Sequence, residues 1–257
     1  MKAMAPADDP DTRHRLDDSL VRRGFYATRS RARDAVARGA VTVNGVVAAK
    51  PGQTVGASSD IRIEDPAAAY VSRAALKLLA GLDHFDLNPA GSEALDIGAS
   101  TGGFTQVLLE RGAAHVTAID VGHGQIDPPL HGDPRVTVIE GLNARDLTFG
   151  HLGGGAPAFL VCDVSFISLT LALPPALELA APGATCVLLV KPQFEAGREA
   201  IGKGGILKDP ADGPRIAEKL RAWLDAFPGW RALGVCQSPV AGGDGNREFL
   251  LAGVKDR

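Results

Sequence analysis

The sequence predicts an α/β protein in which a parallel sheet carries helices on both faces, with a small α+β domain in front of it. Helical and strand patterns alternate from Val71 onward, as in chains that build a parallel sheet. A glycine-rich segment, DIGASTGGFT, joins the first of these strands to its helix. Before Val71, short helical and strand patterns are combined with many arginines. At 257 residues with 45% hydrophobic content, the chain is long enough for both domains.

The composition indicates a cytoplasmic protein that does not enter a membrane. No run of about 18 apolar residues is present, as a membrane-spanning helix would need. Residues 1–12 lack the apolar stretch of a signal peptide and are expected to form a disordered tail. The three cysteines lie singly in apolar runs without CxxC spacing, which favours reduced core thiols over disulfides or zinc. We therefore expect neither a membrane nor a metal as a partner.

The net charge of −3 hides an asymmetry between the two parts of the chain. Residues 11–50 carry nine basic and four acidic side chains, whereas the remainder carries 18 basic and 26 acidic ones. A basic module attached to an acidic body predicts a polyanionic partner for the N-terminal part. An arginine-rich helix that is only solvated would carry the same charge. The order of the predicted helices and strands therefore has to distinguish a polyanion-binding module from a solvated helix.

Two helices, a hairpin and a last strand are expected in this basic region. Apolar residues follow helical spacing in two blocks, and Gly24 and Gly39 stand where each helix would end. Thr28 or Ser30 can cap the start of the second helix. Asn44-Gly45 between two short β segments predicts a type I′ hairpin, and DIRIED is typical of a strand.

This order of elements resembles the small RNA-binding domain named after the ribosomal small-subunit protein S-four, over residues 13–65. The residues that carry the resemblance are Arg15-Leu16-Asp17, Ser30-Arg31, Ala35, Gly39, Val41, Val43-Asn44-Gly45, Pro51-Gly52 and Asp60. The resemblance implies RNA binding in which arginines grip phosphate oxygens, namely Arg22, Arg23, Arg29, Arg31, Arg33 and Arg38. Residues 66–70, PAAAY, are expected to form a linker, and residues 71–257 the second domain.

The second domain alternates strands with helices along its whole length. Helices are predicted at 72–85, 104–112, for most of 169–183, and at 214–227; strands are predicted at 94–97, 115–121, 136–141, 158–164, 185–191, 231–239 and 247–254. Ligands of such sheets bind at the carboxyl ends of the strands. Gly98, Asp120, Asp163 and Lys191, each at a strand end, are therefore expected near one crevice.

The glycine-rich segment admits three functional interpretations. Gly98-x-Ser100-x-Gly102 matches the nucleophile elbow of a serine hydrolase, but no histidine follows His151 to serve as the late base. A dinucleotide fingerprint needs a glycine where Ser100 stands, because the backbone must approach a pyrophosphate. S-adenosylmethionine has no pyrophosphate and tolerates Ser100, and Asp120, 22 residues after Gly98, can accept from its ribose. The segment favours S-adenosylmethionine, with tight strand–helix packing as the non-functional alternative.

A second glycine-rich stretch, GREAIGKG, comes close to a P-loop without matching it. It fits Gly-x4-Gly-Lys but ends in Gly204, so no hydroxyl is available for Mg²⁺. Residues 202–208 are instead expected to form a mobile loop near the substrate.

Lys191 follows four apolar residues in VLLVKPQF, and lysine is rarely buried without a partner. Asp163, at the end of FLVCDV, and Glu248, within GDGNREFLL, are candidate carboxylates for it. A second lysine, Lys77, lies in the helix before the first strand of this domain. Lys191 could also simply extend its amine to solvent from the strand end.

Lys77, Asp163, Lys191 and Glu248, in this order around the glycine-rich loop, resemble the Lys-Asp-Lys-Glu tetrad of FtsJ-like ribose 2′-O-methyltransferases. With the RNA-binding module in front, the chain resembles the TlyA family of rRNA 2′-O-methyltransferases, which are often also named hemolysins. The matching stretches are YVSRAALKL, DIGASTGGFT, CDVSFISL, VKPQFE, GKGGILKD and SPVAGGDGNREFL. The resemblance implies a Rossmann-like class I S-adenosylmethionine-dependent fold and ribosomal subunits as partners, with cytidine of small- or large-subunit rRNA, or both, as the target.

The resemblance also implies roles for individual residues. Lys191 would remove the proton of the ribose 2′-hydroxyl or orient its oxygen, Asp163 and Glu248 would set the charge and orientation of Lys191, and Lys77 would balance the carboxylates. Phe166 and Phe194 could stack on a splayed-out base or simply belong to the core. The residues expected at the cofactor are Gly98, Ser100, Thr101 and Gly102 at the methionine end, Asp120 at the ribose, Leu142 and Asn143 at the adenine, and Asp163.

Two functions from other classes stay open at this point. One is a non-catalytic RNA-binding or ribosome-assembly factor that keeps the fold, against which the complete tetrad argues. The other is a membrane-lytic hemolysin, which neither an apolar span nor a strongly amphipathic basic helix beyond the arginine-rich one supports.

Overall fold

The computed structural model describes residues 13–153, 155–243 and 245–256, and the chain divides into two compact units between Ala69 and Tyr70. The tail predicted for residues 1–12 lies outside the described residues. Pro66–Ala69, in the segment predicted as a linker, forms a short 3-10 helix at the end of the first unit, with Ala67 buried.

The described part of the first unit contains two α-helices and five short strands. They are β1 (Arg13–Arg15), α1 (Leu16–Arg22), α2 (Arg29–Ala37), β2 (Val41–Val43), β3 (Val46–Val47), β4 (Thr54–Gly56) and β5 (Ile61–Ile63). Of the two candidate caps, Thr28 is the one used, since its hydroxyl accepts from the N–H of Arg31. Asn44 and Gly45 form the predicted hairpin turn with φ of 50° and 79°. The pairing of β1 with β4 has no counterpart in the sequence prediction.

The second unit alternates strands and helices as predicted. Its elements are α3 (Ala74–Phe85), β6 (Glu93–Ile97), α4 (Gly103–Glu110), β7 (His115–Asp120), α5 (Pro128–His131), β8 (Val136–Glu140), β9 (Phe159–Cys162), α6 (Leu169–Ala172), α7 (Pro174–Leu179), β10 (Thr185–Val190), α8 (Pro192–Glu195), α9 (Asp212–Ala226), β11 (Trp230–Gln237) and β12 (Phe249–Lys255).

The seven strands form one sheet in the order β8-β7-β6-β9-β10-β12-β11. The strands from β8 to β10 are parallel, while β12 runs antiparallel to both of its neighbours. The sequence predicted a parallel sheet, and the reversal of β12 is a correction. The described residues between β11 and β12, 238–243 and 245–248, contain no helix, and only antiparallel neighbours can be joined without a long crossover.

Helices cover both faces of this sheet, which confirms the prediction of a doubly covered sheet. Buried side chains of α3 and α4 pack with Val116, Val161 and Val187 on one face. On the other face, α6, α7 and α9 pack around Ile97 and Leu188. None of the helices in the described part of the chain has the length and hydropathy needed to cross a membrane.

Candidate active site

A cavity of about 600 Å³ opens at the carboxyl ends of β6, β7 and β9. The chain turns from one side of the sheet to the other between β6 and β9, and open α/β sheets bind ligands at such a reversal. Six of the residues predicted to contact a cofactor line this cavity, namely Gly98, Ser100, Asp120, Leu142, Asn143 and Asp163. Thr101 and Gly102, also predicted for this role, lie outside the lining.

The loop after β6 is held in a shape that suits a close-fitting ligand. Ser100 has a φ of 47°, in the left-handed region, and its N–H donates to Asp120 Oδ2 at 2.8 Å. The other oxygen of Asp120 accepts from Gly122 N at 2.7 Å. A Cβ on Gly98 would lie 3.0 Å from the carbonyl oxygen of Asp163, so a side chain there would crowd the backbone of the neighbouring loop. Gly102 precedes α4 with a φ of 92° and acts through the shape of the loop.

The Ser100 hydroxyl has a partner that sequence reasoning missed. Its Oγ donates to Gln125 Oε1 at 3.1 Å, and Gln125 itself lines the cavity. Glu140 supports the same loop by accepting from Gly124 N at 2.7 Å. The position of Gln125, just after the strand that ends in Asp120, was the only available signal.

The four residues of the predicted tetrad form two ion pairs at the same edge of the sheet. Lys77 Nζ lies 2.5 Å from Glu248 Oε2, and Lys191 Nζ lies 2.6 Å from Asp163 Oδ1. Lys77 is in the first turn of α3, while Asp163 and Lys191 directly follow β9 and β10. Val190 pairs with the first residue of β12, so the reversed strand brings Glu248 beside Lys191.

The two pairs act as one electrostatic cluster. Burial raises the pKa of Glu248, Lys77 and Lys191 oppose this shift, and Asp163 adds to it. The side chains are 3% to 18% exposed, so each charge depends on the others for compensation. The contact between Lys191 and Asp163 Oδ1 lacks hydrogen-bond geometry, whereas Lys191 Nζ donates to Ser165 Oγ at 2.8 Å.

A further carboxylate, missed by sequence reasoning, lies in β6, the strand whose carboxyl end borders the cavity. Asp96 in β6 is fully buried, and its pKa is raised to about 7; burial is the largest cause, the Thr105 hydroxyl opposes the shift, and the carboxylates of Asp163 and Asp120 contribute to it. Its Oδ2 accepts from Thr105 Oγ1 at 2.6 Å, and its Oδ1 has no hydrogen-bond partner among the described residues. The sequence signals were an acidic residue inside the apolar run ALDI and its place at the start of DIGASTGGFT.

The two candidate stacking residues contact each other beside the cavity. The rings of Phe166 and Phe194 have centroids 4.9 Å apart and an interplanar angle of 47°. Phe166 is 90% exposed, so the alternative that it belongs to the core is wrong. Phe194 is half-buried.

The six arginines predicted to contact RNA differ in how many of their donors already bind other groups of the first unit. Arg38 pairs with Asp34 and with both oxygens of Asp65, and Arg29 pairs with Asp17. Burial opposes the ionisation of Asp65, but hydrogen bonds from Arg38 and Tyr26 hold its pKa below the usual value. Arg22 pairs with Asp18, Arg23 donates to the carbonyls of residues 56, 57 and 59, and Arg31 donates to that of residue 67. Arg33 is exposed, and it is the one with most freedom to meet a phosphate.

The stretch predicted as a mobile loop, residues 202–208, is tied down at several points. Ile201 and Leu207 form a β-bridge, and Gly202 N donates to Ile206 O at 2.7 Å. Asn246, just before Glu248, accepts from Leu207 N at 3.0 Å and donates to the carbonyl of residue 205 at 2.9 Å.

Across the described ranges, no group of three His, Cys, Asp or Glu side chains could hold a metal ion.

Known proteins are similar to this chain over almost its whole length. The family model described as FtsJ-like methyltransferase matches residues 70–255, and the S4 domain model matches residues 14–61. A Mycobacterium tuberculosis protein named 16S/23S rRNA (cytidine-2′-O)-methyltransferase TlyA is 44% identical over 240 residues, covering 93% of this chain and 89% of the relative. Hemolysin A of Brachyspira hyodysenteriae is 37% identical and covers 92% of this chain and 98% of its own. A solved Streptococcus thermophilus structure, provisionally named a hemolysin, is 39% identical with a TM-score of 0.74, covering 95% of this chain and 89% of that one.

Proposed function

The chain belongs to the TlyA family of FtsJ-like methyltransferases, and from this premise we propose that it methylates the 2′-hydroxyl of cytidine in the rRNA of one or both ribosomal subunits. It is a methyltransferase, and its cofactor is S-adenosylmethionine. Its relatives support 2′-O-methylation of rRNA as the reaction. The choice of cytidine and of subunit follows the M. tuberculosis relative, whose name includes both 16S and 23S rRNA.

The observation that carries the proposal is the cluster of two lysines and two carboxylates beside the cavity. Lys191 is held between Asp163 at 2.6 Å and Ser165 at 2.8 Å, and both of these residues line the cavity. An ammonium group has three N–H bonds, and Lys191 uses one of them on Ser165, so Nζ keeps hydrogen-bonding capacity for a substrate oxygen. The amine is thereby oriented before any substrate binds.

The residues that line the cavity suit the cofactor. Asp120 presents a carboxylate that can accept from ribose hydroxyls, and Asn143 and Leu142 offer an amide and an apolar surface to adenine. Gly98 has a φ of 82° and packs against the backbone of Asp163, so the shape of the loop that lines the cavity depends on this glycine. When bound, S-adenosylmethionine supplies an electrophilic methyl group on a sulfonium.

The protein's own groups hold the ribose oxygen and manage its proton. Lys191 Nζ accepts a hydrogen bond or a proton from the 2′-hydroxyl when neutral, and orients the oxygen lone pair when charged. Asp163 fixes the position of Lys191, and the Lys77–Glu248 pair keeps the cluster balanced in charge. The desolvated setting strengthens each of these interactions.

RNA is recognised at two places in this proposal. Phe166, exposed beside Lys191 and packed against Phe194, stacks on the base of a nucleotide splayed out of the RNA. In the first unit, Arg33 and the half-exposed Arg22 and Arg29 contact phosphates, which contributes affinity and salt dependence rather than sequence choice.

Transfer of a labelled methyl group from S-adenosylmethionine to purified small and large ribosomal subunits tests the proposal. We expect label in ribose at cytidine with the wild type, loss of about a hundredfold or more in rate with Lys191→Ala, and no loss with Lys219→Ala, an exposed lysine on α9. No transfer by the wild type to either subunit would favour the non-catalytic RNA-binding alternative. Equal rates for the wild type and Lys191→Ala would remove Lys191 from the chemistry.

A further inference from the structure

Two turns that follow neighbouring strands close against each other beside the cavity. One spans residues 163–169 after β9 and the other residues 191–195 after β10, and together we call them the clasp. Its ties are Lys191 Nζ to Ser165 Oγ at 2.8 Å, the ring contact of Phe194 with Phe166, Glu195 Oε2 to Ser168 Oγ at 2.5 Å, and Glu195 Oε1 to Leu169 N at 2.8 Å. Successive residues of one turn thus meet successive residues of the other.

The clasp explains how Phe166 keeps its conformation. Phe166 has a φ of 65°, a backbone conformation that is unfavourable for a residue with a Cβ. Its side chain is 90% exposed, so burial in a core does not hold it there. Phe166 is restrained by its ring contact with Phe194 and by the hydrogen bonds on either side of it, at Ser165 and at Ser168.

Glu195 accepts the hydrogen bonds from Ser168 and Leu169, on the carboxyl-terminal side of Phe166, and does not itself line the cavity. Burial raises its pKa, which the hydrogen bonds from Leu169 N and Ser168 Oγ oppose. A half-buried carboxylate that uses both oxygens on one facing turn has a positional role, because removing it would leave an amide and a hydroxyl without their acceptors.

We propose that Glu195 is a positioning residue of the methyl-transfer site, which fixes Ser165 and Phe166 relative to Lys191 by holding Ser168 and Leu169. This inference rests on the proposed function of that site. Without Glu195, the turn after β9 is free to relax, so Ser165 no longer orients the lysine amine and Phe166 no longer presents its ring.

The kinetic test compares Glu195→Ala with Glu195→Gln on ribosomal subunits. We expect kcat to fall about tenfold in the alanine variant, because small misplacements of a reacting group are costly, while the cofactor Kd measured by calorimetry stays within about twofold. Glutamine keeps an acceptor for Leu169 N and a donor for the Ser168 hydroxyl, so it should recover kcat to within about threefold of the wild type. Glu218→Ala, at an exposed glutamate of α9, is the matched control and should equal the wild type.

Amide hydrogen exchange gives a readout that does not need activity. Residues 165–169 should exchange faster in Glu195→Ala than in the wild type or in Glu195→Gln, and Ser168→Ala, which keeps the Leu169 tie, should lie between them. Wild-type kcat in the alanine variant, or equal loss in the alanine and glutamine variants, would overturn the inference while leaving the proposed function intact. If the wild type transfers no methyl group, the proposed function fails, and unchanged exchange in Glu195→Ala would then overturn the clasp as well.

Discussion

Replacing Asp96 by asparagine should remove a pH-dependent part of the stability of the second unit. Burial raises the pKa of Asp96 from its ordinary 3.8 to about 7, the Thr105 hydroxyl opposes the shift, and Asp163 and Asp120 add to it. A carboxyl whose pKa is higher in the folded chain than in the unfolded one takes up a proton on folding between the two values. Stability therefore falls as the pH rises from about 4 to about 7 and stays at the lower level above that range.

The size of this effect follows from the two pKa values. The interval between 3.8 and about 7 corresponds to about 4 kcal/mol in the free energy of unfolding, of which about 2 kcal/mol is lost between about pH 5.5 and about pH 8. Asparagine has nearly the same shape, does not titrate, and can still hydrogen-bond Thr105. The variant should therefore lose about 2 kcal/mol less than the wild type over the same pH interval.

Urea unfolding followed by tryptophan fluorescence measures this difference in the whole protein. Trp223 and Trp230 both lie in the second unit, so the signal reports the unfolding of that unit. Asp83→Asn, at an exposed carboxylate that pairs with Arg111, is the matched control and should keep the pH dependence of the wild type. If Asp96→Asn loses as much stability between the two pH values as the wild type does, Asp96 is not protonated in the folded protein and the reasoning is refuted.

Four further substitutions test other parts of the structure. Lys77→Met should destabilise the second unit by about 3–5 kcal/mol in urea titrations, because it leaves the buried carboxylate of Glu248 unpaired. Adding Glu248→Gln should recover most of that loss, whereas additive losses in the double variant would contradict the pairing. Arg38→Ala should lower the stability of the first unit by about 3 kcal/mol in circular-dichroism unfolding, since it removes the cation of a buried aspartate. Arg33→Ala should instead leave stability unchanged and reduce the slope of log binding constant against log salt concentration for RNA by about 1. If Arg33→Ala lowers stability and Arg38→Ala reduces the salt slope, the structural role of Arg38 and the phosphate-binding role of Arg33 are refuted. Gly102→Ala should weaken cofactor binding measured by calorimetry. Position 102 has a φ of 92°, which favours glycine, and a Cβ there would lie only 2.5 Å from a leucine side chain. An unchanged Kd would show that the loop adapts.

The fold was accessible from the sequence because local patterns report local structure. The alternation of strand and helix periods, the hairpin at Asn44-Gly45 and the position of the glycine-rich loop each depend on residues close together in the chain. The reversal of β12 was not accessible in this way. A strand pattern has no direction, and only the pairing of Phe249 with Val190 establishes it.

The candidate site was predictable as a set of residues but not as a set of contacts. Gly98, Asp120, Asp163 and Lys191 follow strands whose carboxyl ends share one edge, so their assembly follows from topology. Asp96 opens the stretch DIGASTGGFT but was given no role, because its burial and its contact with Thr105 of α4 exist only in the folded chain.

The sequence by itself determined the order of the two domains, the parallel part of the sheet and which charged residues stand at its carboxyl edge. Only the tertiary structure decided that Lys77 pairs with Glu248, 171 residues away, and Lys191 with Asp163. It also decided that Arg38 is engaged by buried carboxylates, whereas Arg33 faces solvent. The physical reason is that hydrophobic spacing specifies which residues are buried, whereas the choice of ion-pair partner depends on distances that exist only after the strands and helices have packed.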